Sequence, residues 1–262
     1  LELEQYEELQ NTRGEYVSAM ATILSSLYAE GSIGMRLKGG FTFLPIDSKP
    51  SIKLDFNWSV EGQTLFGMEK LNLHNLSQDS TFIHESLGYL FFREMGIPAS
   101  RTGFGWVSLN VGDLEEDVDP DMDMDSDLDS IESWEEEKGI YLVLEPYDDV
   151  FLRQYYAETQ HLYEGTVLSG LVPDGLSYFE VDEGSVDDIT DLEHLVYLLE
   201  GTPPESRFRL TQDIFDWEEV IMFLAVENFI GHYDGYSRSL KNYYLHVDGD
   251  GLFSLLPSSL EL

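Results

Sequence analysis

Residues 33–56, IGMRLKGGFTFLPIDSKPSIKLDF, decide how the rest of the chain is read. In Ser51–Phe56 the apolar Ile52, Leu54 and Phe56 alternate with Lys53 and Asp55, the two-residue period of a half-buried strand. Ile33–Phe43 reads as a second β segment, a hairpin broken at Gly39-Gly40. Both pieces carry cations: Arg36, Lys38 and Lys53. The chain has 262 residues with 14 Lys and Arg against 51 Asp and Glu, a formal charge of −37. Positive charge set inside strands of so acidic a chain, beside a glycine turn whose N–H groups can approach an anion, suits phosphate. The plainer reading is an ordinary turn flanked by lysines that reach solvent.

Working outward, Leu65–Leu73 reads as another strand and Asp79–Met95 as a helix, with Asp79 and Ser80 available as N-cap and Gly96-Ile97-Pro98 as its stop. Phe104–Asn110 and Gly139–Leu144 are strand-like and are expected to pair across the segment between them. From Glu145-Pro146 to about residue 200 the chain reads as helical or irregular. Asp213–Ile230 (DIFDWEEVIMFLAVENFI) is the strongest helix pattern, capped by Asp213 and ended near Gly231. Tyr243–His246 and Leu252–Leu256 flank a Val247-Asp-Gly-Asp-Gly251 hairpin turn. At the other end, Tyr16, Met20, Ile23, Leu24 and Leu27 recur at helical spacing and predict a helix over residues 1–30.

Composition removes several function classes. With 42% hydrophobic and 13% aromatic residues, the chain can bury a core and is not a disordered polymer. Its charge repels nucleic-acid backbones and anionic membrane. Cations, basic peptides, or anions held locally by the few positive side chains are the fitting partners. No run of 18 apolar residues exists, so no membrane span is expected. Leu1–Glu8 is acidic and amphipathic, unlike a signal peptide. Cysteine is absent, which excludes disulfides, thiolate zinc sites, iron–sulfur clusters and cysteine nucleophiles. Neither GxSxG nor HExxH occurs, and the six histidines show no ligand spacing.

Three further features bear on chemistry. An acidic insertion at 113–138 holds 14 of the 51 acids. If Asp121 is position 1 of a calcium loop, then Asp123, Asp125, Asp127 and Asp129 fall at positions 3 to 9 and Glu132 at position 12, a supply of hard oxygens that suits Ca²⁺. Ser126 stands where that loop favours glycine, and the bland alternative is a solvated charge run. Glu85 lies close to the apolar face of its helix, where a half-buried carboxylate wants a cation such as Lys53; an exposed helical Glu is the bland alternative. In Glu227–His246 (ENFIGHYDGYSRSLKNYYLH), His232, Asp234 and Asn242 are polar residues in an aromatic setting. A carboxylate in the loop after a long helix can orient a hydroxyl or hold magnesium, with Asn242 completing the site. Alternatively, Asp234 merely caps a turn.

Taken together these segments resemble the CotH kinase family, atypical protein kinases known from bacterial spore coats. The resemblance runs through Met35-Arg-Leu-Lys-Gly-Gly40, Lys49-Pro-Ser-Ile-Lys-Leu-Asp-Phe56, Lys70-Leu-Asn-Leu-His74 and Asp79-Ser-Thr-Phe-Ile-His-Glu-Ser-Leu87. It continues in Arg93-Glu-Met-Gly-Ile-Pro98, Val107-Ser-Leu-Asn110, Gly139-Ile-Tyr-Leu-Val-Leu-Glu145 and Leu240-Lys-Asn-Tyr-Tyr-Leu-His246. Order and spacing, more than any one piece, carry it.

The resemblance implies an α+β, reduced protein-kinase-like fold. A β-rich N-terminal part (1–145) would be a five-stranded antiparallel sheet with one packed helix, and residues 146–262 a mainly helical, apparently truncated lobe, with the ligand between them. It implies γ-phosphoryl transfer from ATP with Mg²⁺ to a protein serine, and a basic substrate would suit the acidic surface. Lys53, with Arg36 and Lys38 nearby, would hold phosphates. Glu85 would pair with Lys53, Glu145 and Tyr147 would lie near adenine, and Asp234 would be the catalytic acid. Asn242 and Glu261 would serve the metal. Members usually continue into a Trp-Asp-x-Asp segment, whereas this chain reads Ser258-Ser259-Leu260-Glu261. Serine supplies no anionic ligand and glutamate is one methylene too long, so turnover should be impaired. The alternative is a non-catalytic, kinase-like, calcium-binding structural or interaction module. An extracellular, cell-surface or spore-surface location is the family expectation.

Overall fold

The computed structural model describes residues 1–12, 14–23, 26–27, 32–40, 42–112 and 133–261. Two compact units divide the chain: Leu1–Asn75 with Thr102–Pro146, and Leu76–Arg101 with Tyr147–Leu262. Among the described residues the first combines one helix with antiparallel sheet, and the second several helices with another. The sequence-based boundary fell at 145/146; the structure also groups residues 76–101 with the second unit.

The first unit holds α1 (Leu3–Asn11) and the strands β1 (Val17–Ala19), β2 (Thr22–Ile23), β3 (Ser26–Leu27), β4 (Ile33–Lys38), β5 (Ser51–Asp55), β6 (Lys70–His74), β7 (Thr102–Val111) and β8 (Trp134–Leu144). Six of them form one antiparallel sheet in the order β1-β4-β5-β6-β8-β7, while β2 and β3 pair separately. Alternation puts Met35, Leu37, Ile52, Leu71 and Leu73 on the buried face, in one cluster with Tyr6 and Leu9 of α1. Each such side chain contributes about 1.5–3 kcal/mol on burial.

Three expectations are corrected here. The helix expected over 1–30 stops at Asn11, where Thr12 turns extended and returns its N–H and hydroxyl to the Glu8 carbonyl. Gly14, at φ 83°, turns the chain, and Val17 and Ala19 then bury as a sixth strand against Met35 and Ile33. Ile33–Lys38 is a single strand and not one arm of a local hairpin, because β4 finds its partners in β1 and β5. The strand expected from Leu65 begins only at Lys70, since Phe66 and Gly67 both take positive φ in a tight Leu65–Met68 turn.

The pairing expected between 104–110 and 139–144 is present, extended from Thr102↔Leu144 to Val111↔Trp134. Its register shifts between Val107 and Ser108, which face Gly139 and Glu137, so Lys138 is the odd residue. That lysine is buried. Its ammonium donates to the Ile46 and Ser48 carbonyls at 2.5 and 2.8 Å and pairs with Glu136 at 2.6 Å, fastening the 45–48 turn. The calcium-loop candidates Asp121, Asp123, Asp125, Asp127, Asp129 and Glu132 lie outside the described residues.

The second unit holds α2 (His84–Glu94), α3 (Asp149–Tyr155), β9 (Thr159–Gly165), a 3-10 turn (Pro173–Tyr178), β10 (Phe179–Glu183), α4 (Thr190–Gly201), α5 (Pro204–Leu210), α6 (Trp217–Ile230), α7 (Tyr236–Ser239), β11 (Tyr243–Asp248) and β12 (Phe253–Pro257). The strands form an antiparallel sheet in the order β10-β9-β11-β12, so the mainly helical lobe is corrected to a mixed one. Asp216, not Asp213, caps α6, accepting the N–H groups of Glu218 and Glu219 at 3.0 and 3.3 Å. Phe215 is still bridged to Phe253, which keeps the chain extended up to that cap. Gly231, at φ 74°, closes the helix as its sequence suggested. Phe92 of α2 meets Phe223 of α6 with ring centroids 5.2 Å apart. Among the described residues, no helix is long and apolar enough to cross a membrane.

Candidate functional site

In the first unit, register brings three sequence-selected cations to one face. Arg36 lies directly across from Lys53, and Lys38 two residues along β4 on the same side. Asn72 faces Lys53 from β6, and the Lys38 ammonium meets His74 Nε2 at 3.1 Å. Like charges directly opposite in a sheet repel. Arg36 is eased by the Tyr16 ring, 5.3 Å from its guanidinium carbon, yet its buried Nε has no hydrogen-bond partner. Such a face suits a polyanion. Glu145 is buried just past the end of β8.

In the second unit the chemistry gathers around the segment from Gly231 to Asn242. Glu227, near the end of α6, is fully buried and turns back into this segment. Its Oε2 accepts the Ser237 N–H at 2.8 Å and it also takes the Tyr236 N–H, so one carboxylate caps the short α7. A Cβ on Gly235 would come within 2.0 Å of Glu227 Oε1 and 2.5 Å of His232 Nδ1, so only glycine lets the turn pass that close. Burial pushes the Glu227 carboxyl above its ordinary value. Burial likewise lowers His232 to about 4, so its ring is neutral near pH 7 and its 3.8 Å approach to Glu227 is no ion pair. The chain so fastened presents Asp234, whose side chain is 46% exposed and meets the Lys241 ammonium at 2.8 Å.

The hairpin after this loop brings a second segment beside it. Tyr243 pairs with Pro257, so Asn242 and Ser258 abut, and the Ser258 N–H donates to the Asn242 carbonyl at 3.2 Å. Asn242 takes the left-handed φ of 55°, and Ser259 that of 48°. His232 Nε2 lies 3.2 Å from the Ser259 carbonyl, and the Ser259 N–H donates to the Tyr89 hydroxyl at 3.2 Å. His84 bridges the Leu260 and Ile230 carbonyls at 3.1 and 3.0 Å. Gly88 of α2 leaves room for Leu260, which a Cβ would approach to 2.9 Å. Both backbone groups of Ser259 are thus engaged.

Glu85 is fully buried at the start of α2, and its carboxylate oxygen lies within 4.8 Å of one from Glu261. Asp79, also buried, accepts the N–H groups of Thr81, His84 and Glu85 at 2.9, 2.7 and 3.3 Å. It therefore does fasten the helix start, though α2 begins only at His84 because Phe82 takes a φ of 62°. Tyr147 is buried, its hydroxyl donating to the Pro257 carbonyl at 2.7 Å and accepting from the Ser100 N–H. That hydroxyl is committed to the unit's own backbone.

The structure thus groups Arg36, Lys38 and Lys53 on one sheet face, Asp234 and Asn242 on one loop, and Glu85 with Glu261. Sequence reasoning gave no role to Glu227 or His84, and it singled out His232 by its aromatic setting without assigning it a task. A lone acid in the apolar AVENFI run was the available signal for the first. No curated protein matches the chain. The model of the family described as CotH kinase protein matches residues 35–258, most of the chain, which therefore belongs to the CotH kinase family.

Proposed function

We propose that this chain is a kinase-like protein that passes the γ-phosphoryl of ATP to a serine hydroxyl of a basic protein substrate, at a rate limited by Ser259. The observation that carries the reading is the succession of loop, hairpin and loop in the second unit. The Asp234 loop and the 258–261 segment flank β11 and β12 and are tied at Asn242 and Ser258. That succession suits phosphoryl transfer, in which one loop handles the nucleophile and the next the phosphate charge.

In this reading the acceptor O–H gives its proton to the Asp234 carboxylate as its oxygen attacks the γ-phosphorus. The bond from that phosphorus to the β,γ-bridging oxygen breaks, and ADP leaves with the electron pair. Lys241 holds the Asp234 carboxylate in one orientation, and Glu227 holds the loop beneath it. Arg36, Lys38 and Lys53 serve the phosphates, and residues 145–147 the adenine end. Magnesium fits the hard oxygens that Glu85 and Glu261 bring close together, with Asn242 adding an amide oxygen, and when bound it would offset the phosphate charge. The family membership also motivates a spore- or cell-surface location.

Radiolabelled transfer to a Ser-, Lys- and Arg-rich peptide tests the reading. Asp234→Ala should lower the rate about a hundredfold or more, and Lys53→Ala should do likewise. Ser259→Asp should raise it. Equal signals from wild type and Asp234→Ala would discard the idea. The second reading, a non-catalytic module, is favoured by Ser259 itself, a residue with no carboxylate whose backbone is fully engaged. A thermal shift with Ca²⁺ and none with ATP and Mg²⁺ would select it.

A further inference from the structure

The loop that presents Asp234 also forms one wall of a cavity of about 580 Å³ lying wholly within the second unit. That is the size of a small-ligand site. Tyr236, two residues beyond Asp234, and Leu240 make this wall, and Leu199, Trp217 and Leu224 make the others. Glu200 and Arg207 are the charged lining residues. At the cavity, Val172 is 54% exposed and Leu240 38%, so apolar side chains face water there.

The walls are held open by specific bonds. Leu240 takes a φ of 51°, and its carbonyl accepts the Ser169 hydroxyl at 3.0 Å. The same hydroxyl reaches the Thr166 carbonyl, and the Tyr243 hydroxyl donates to the Ser169 carbonyl. A Cβ on Gly175 would sit 2.0 Å from the Gly170 carbonyl oxygen, so the 170–175 turn is closed as tightly as its backbone allows. The cavity is preformed, and a guest pays little to order it.

Resting on the kinase reading of Asp234, we propose that this cavity anchors the protein substrate by one large apolar side chain (Leu, Met or Phe) a few residues from the acceptor serine. An extended peptide advances about 3.3 Å per residue. The wall begins at Tyr236, two residues along the loop from Asp234, a separation that neighbours two to four positions from a serine held at Asp234 are long enough to span. The acid excess of the chain sets the rest of the segment: flanks of Lys and Arg are attracted and acidic flanks repelled. The substrate class is thus a basic, serine-containing segment with a single apolar anchor.

Binding and turnover are measured separately. Short fluorescein-labelled peptides with a central serine and Lys/Arg flanks carry one Leu, stepped along the positions on either side, or Ala throughout. Anisotropy with the wild-type protein should show one Leu position binding about tenfold or more tighter than Ala, as burial of one large aliphatic side chain provides. Val172→Trp, at an exposed site, and Leu199→Trp should each erase that difference while leaving the Ala peptide's affinity unchanged. Retained thermal unfolding shows that both variants fold. In the transfer assay the Leu peptide should have the lower KM and the same kcat. Equal affinity at every position, or a preference that survives in both Trp variants, overturns the anchor. An anchored peptide that is never phosphorylated keeps the anchor and removes the kinase reading; phosphorylation without preference does the reverse.

Discussion

Asp79 and Glu227 are both fully buried carboxylates in the second unit, and both fasten a turn by accepting backbone N–H groups, yet their acidities move in opposite directions. Burial raises both. At Asp79, hydrogen bonds from the Thr81 hydroxyl and three backbone N–H groups together outweigh it, and the carboxyl falls below its ordinary range. At Glu227 the donors come from Ser237 and Tyr236, Oε1 has no partner, and burial wins. The balance of donors against desolvation decides whether an interior carboxylate is at ease as an anion, and Glu227 has both fewer donors and the heavier desolvation. Asp79 secures the start of α2, a structural task. Glu227 secures the loop that presents Asp234.

The largest effect expected from this contrast is at Asp79. Asp79→Ala leaves three N–H donors without their acceptor, that of buried Glu85 among them, and should lower stability by about 3 kcal/mol, or roughly 10 °C in melting temperature. Because the folded carboxyl is more acidic than the unfolded one, its contribution is complete above the ordinary Asp range and fades as pH falls through the folded value. The gap between wild type and Asp79→Ala in urea titrations should therefore close on acidification. A gap unchanged between pH 7 and pH 3 would mean that the hydrogen bonds do not favour the anion.

How much of this was legible follows from pattern length and polarity. β5, the β7–β8 pair, α6 and the β11–β12 hairpin each carry a clear apolar pattern and lie where that pattern predicts them. β4 carries the pattern but reads as half of a local hairpin, whereas its partners are β1 and β5 and not the residues directly after it. β1 spans only Val17–Ala19, too short to compete with the helical spacing of its neighbours. β9 (TQHLYEG) looks polar because His161 and Tyr163 are satisfied at a distance by Asp191, at 2.7 and 2.5 Å. Local reading has no access to a partner 28 residues away. β10 (FEVDE) alternates, but acids alternate throughout this chain. For the candidate site, Lys53 and Asp234 stood out by charge and context. Glu227 did not, since its role depends on a turn at Gly235 that only the fold brings beneath it.

Acidification sharpens the contrast from the side of His232. Its folded value near 4 lies below the ordinary 6.5, so folding excludes a proton that the unfolded chain accepts. The contribution of this neutral ring is complete above pH 6.5 and is lost as pH falls from there toward 4. The same holds for buried His246, also near 4. Each group accounts for about 2–3 kcal/mol across that window. Guanidinium titrations at pH 7 and pH 4.5 should differ accordingly, and His246→Gln should recover part of the loss. Were Glu227 and His232 an ion pair, protonating the ring would strengthen it, and stability would rise on acidification instead.

Glu227→Gln gives the smallest effect and the sharpest decision. With Nε2–H donating to the Ser259 carbonyl, the neutral His232 ring turns its Nδ1 lone pair toward Glu227 Oε1 at 3.8 Å, acceptor against acceptor. A glutamine keeps an oxygen for the Ser237 N–H and offers an amide hydrogen to Nδ1. Glu227→Gln should therefore be more stable than wild type at pH 8 by up to about 1 kcal/mol. Because the folded carboxyl is raised, wild type takes up a proton on acidification before the unfolded chain does. Its protonated carboxyl then makes the same bond, and the advantage disappears below the folded value. The donor count explains the contrast with Asp79 only if the matching Asp79→Asn change is destabilising under the same conditions. A Glu227→Gln protein less stable than wild type at pH 8 would mean that this buried anion has a cationic partner, and that the two carboxylates differ in neighbours more than in donors.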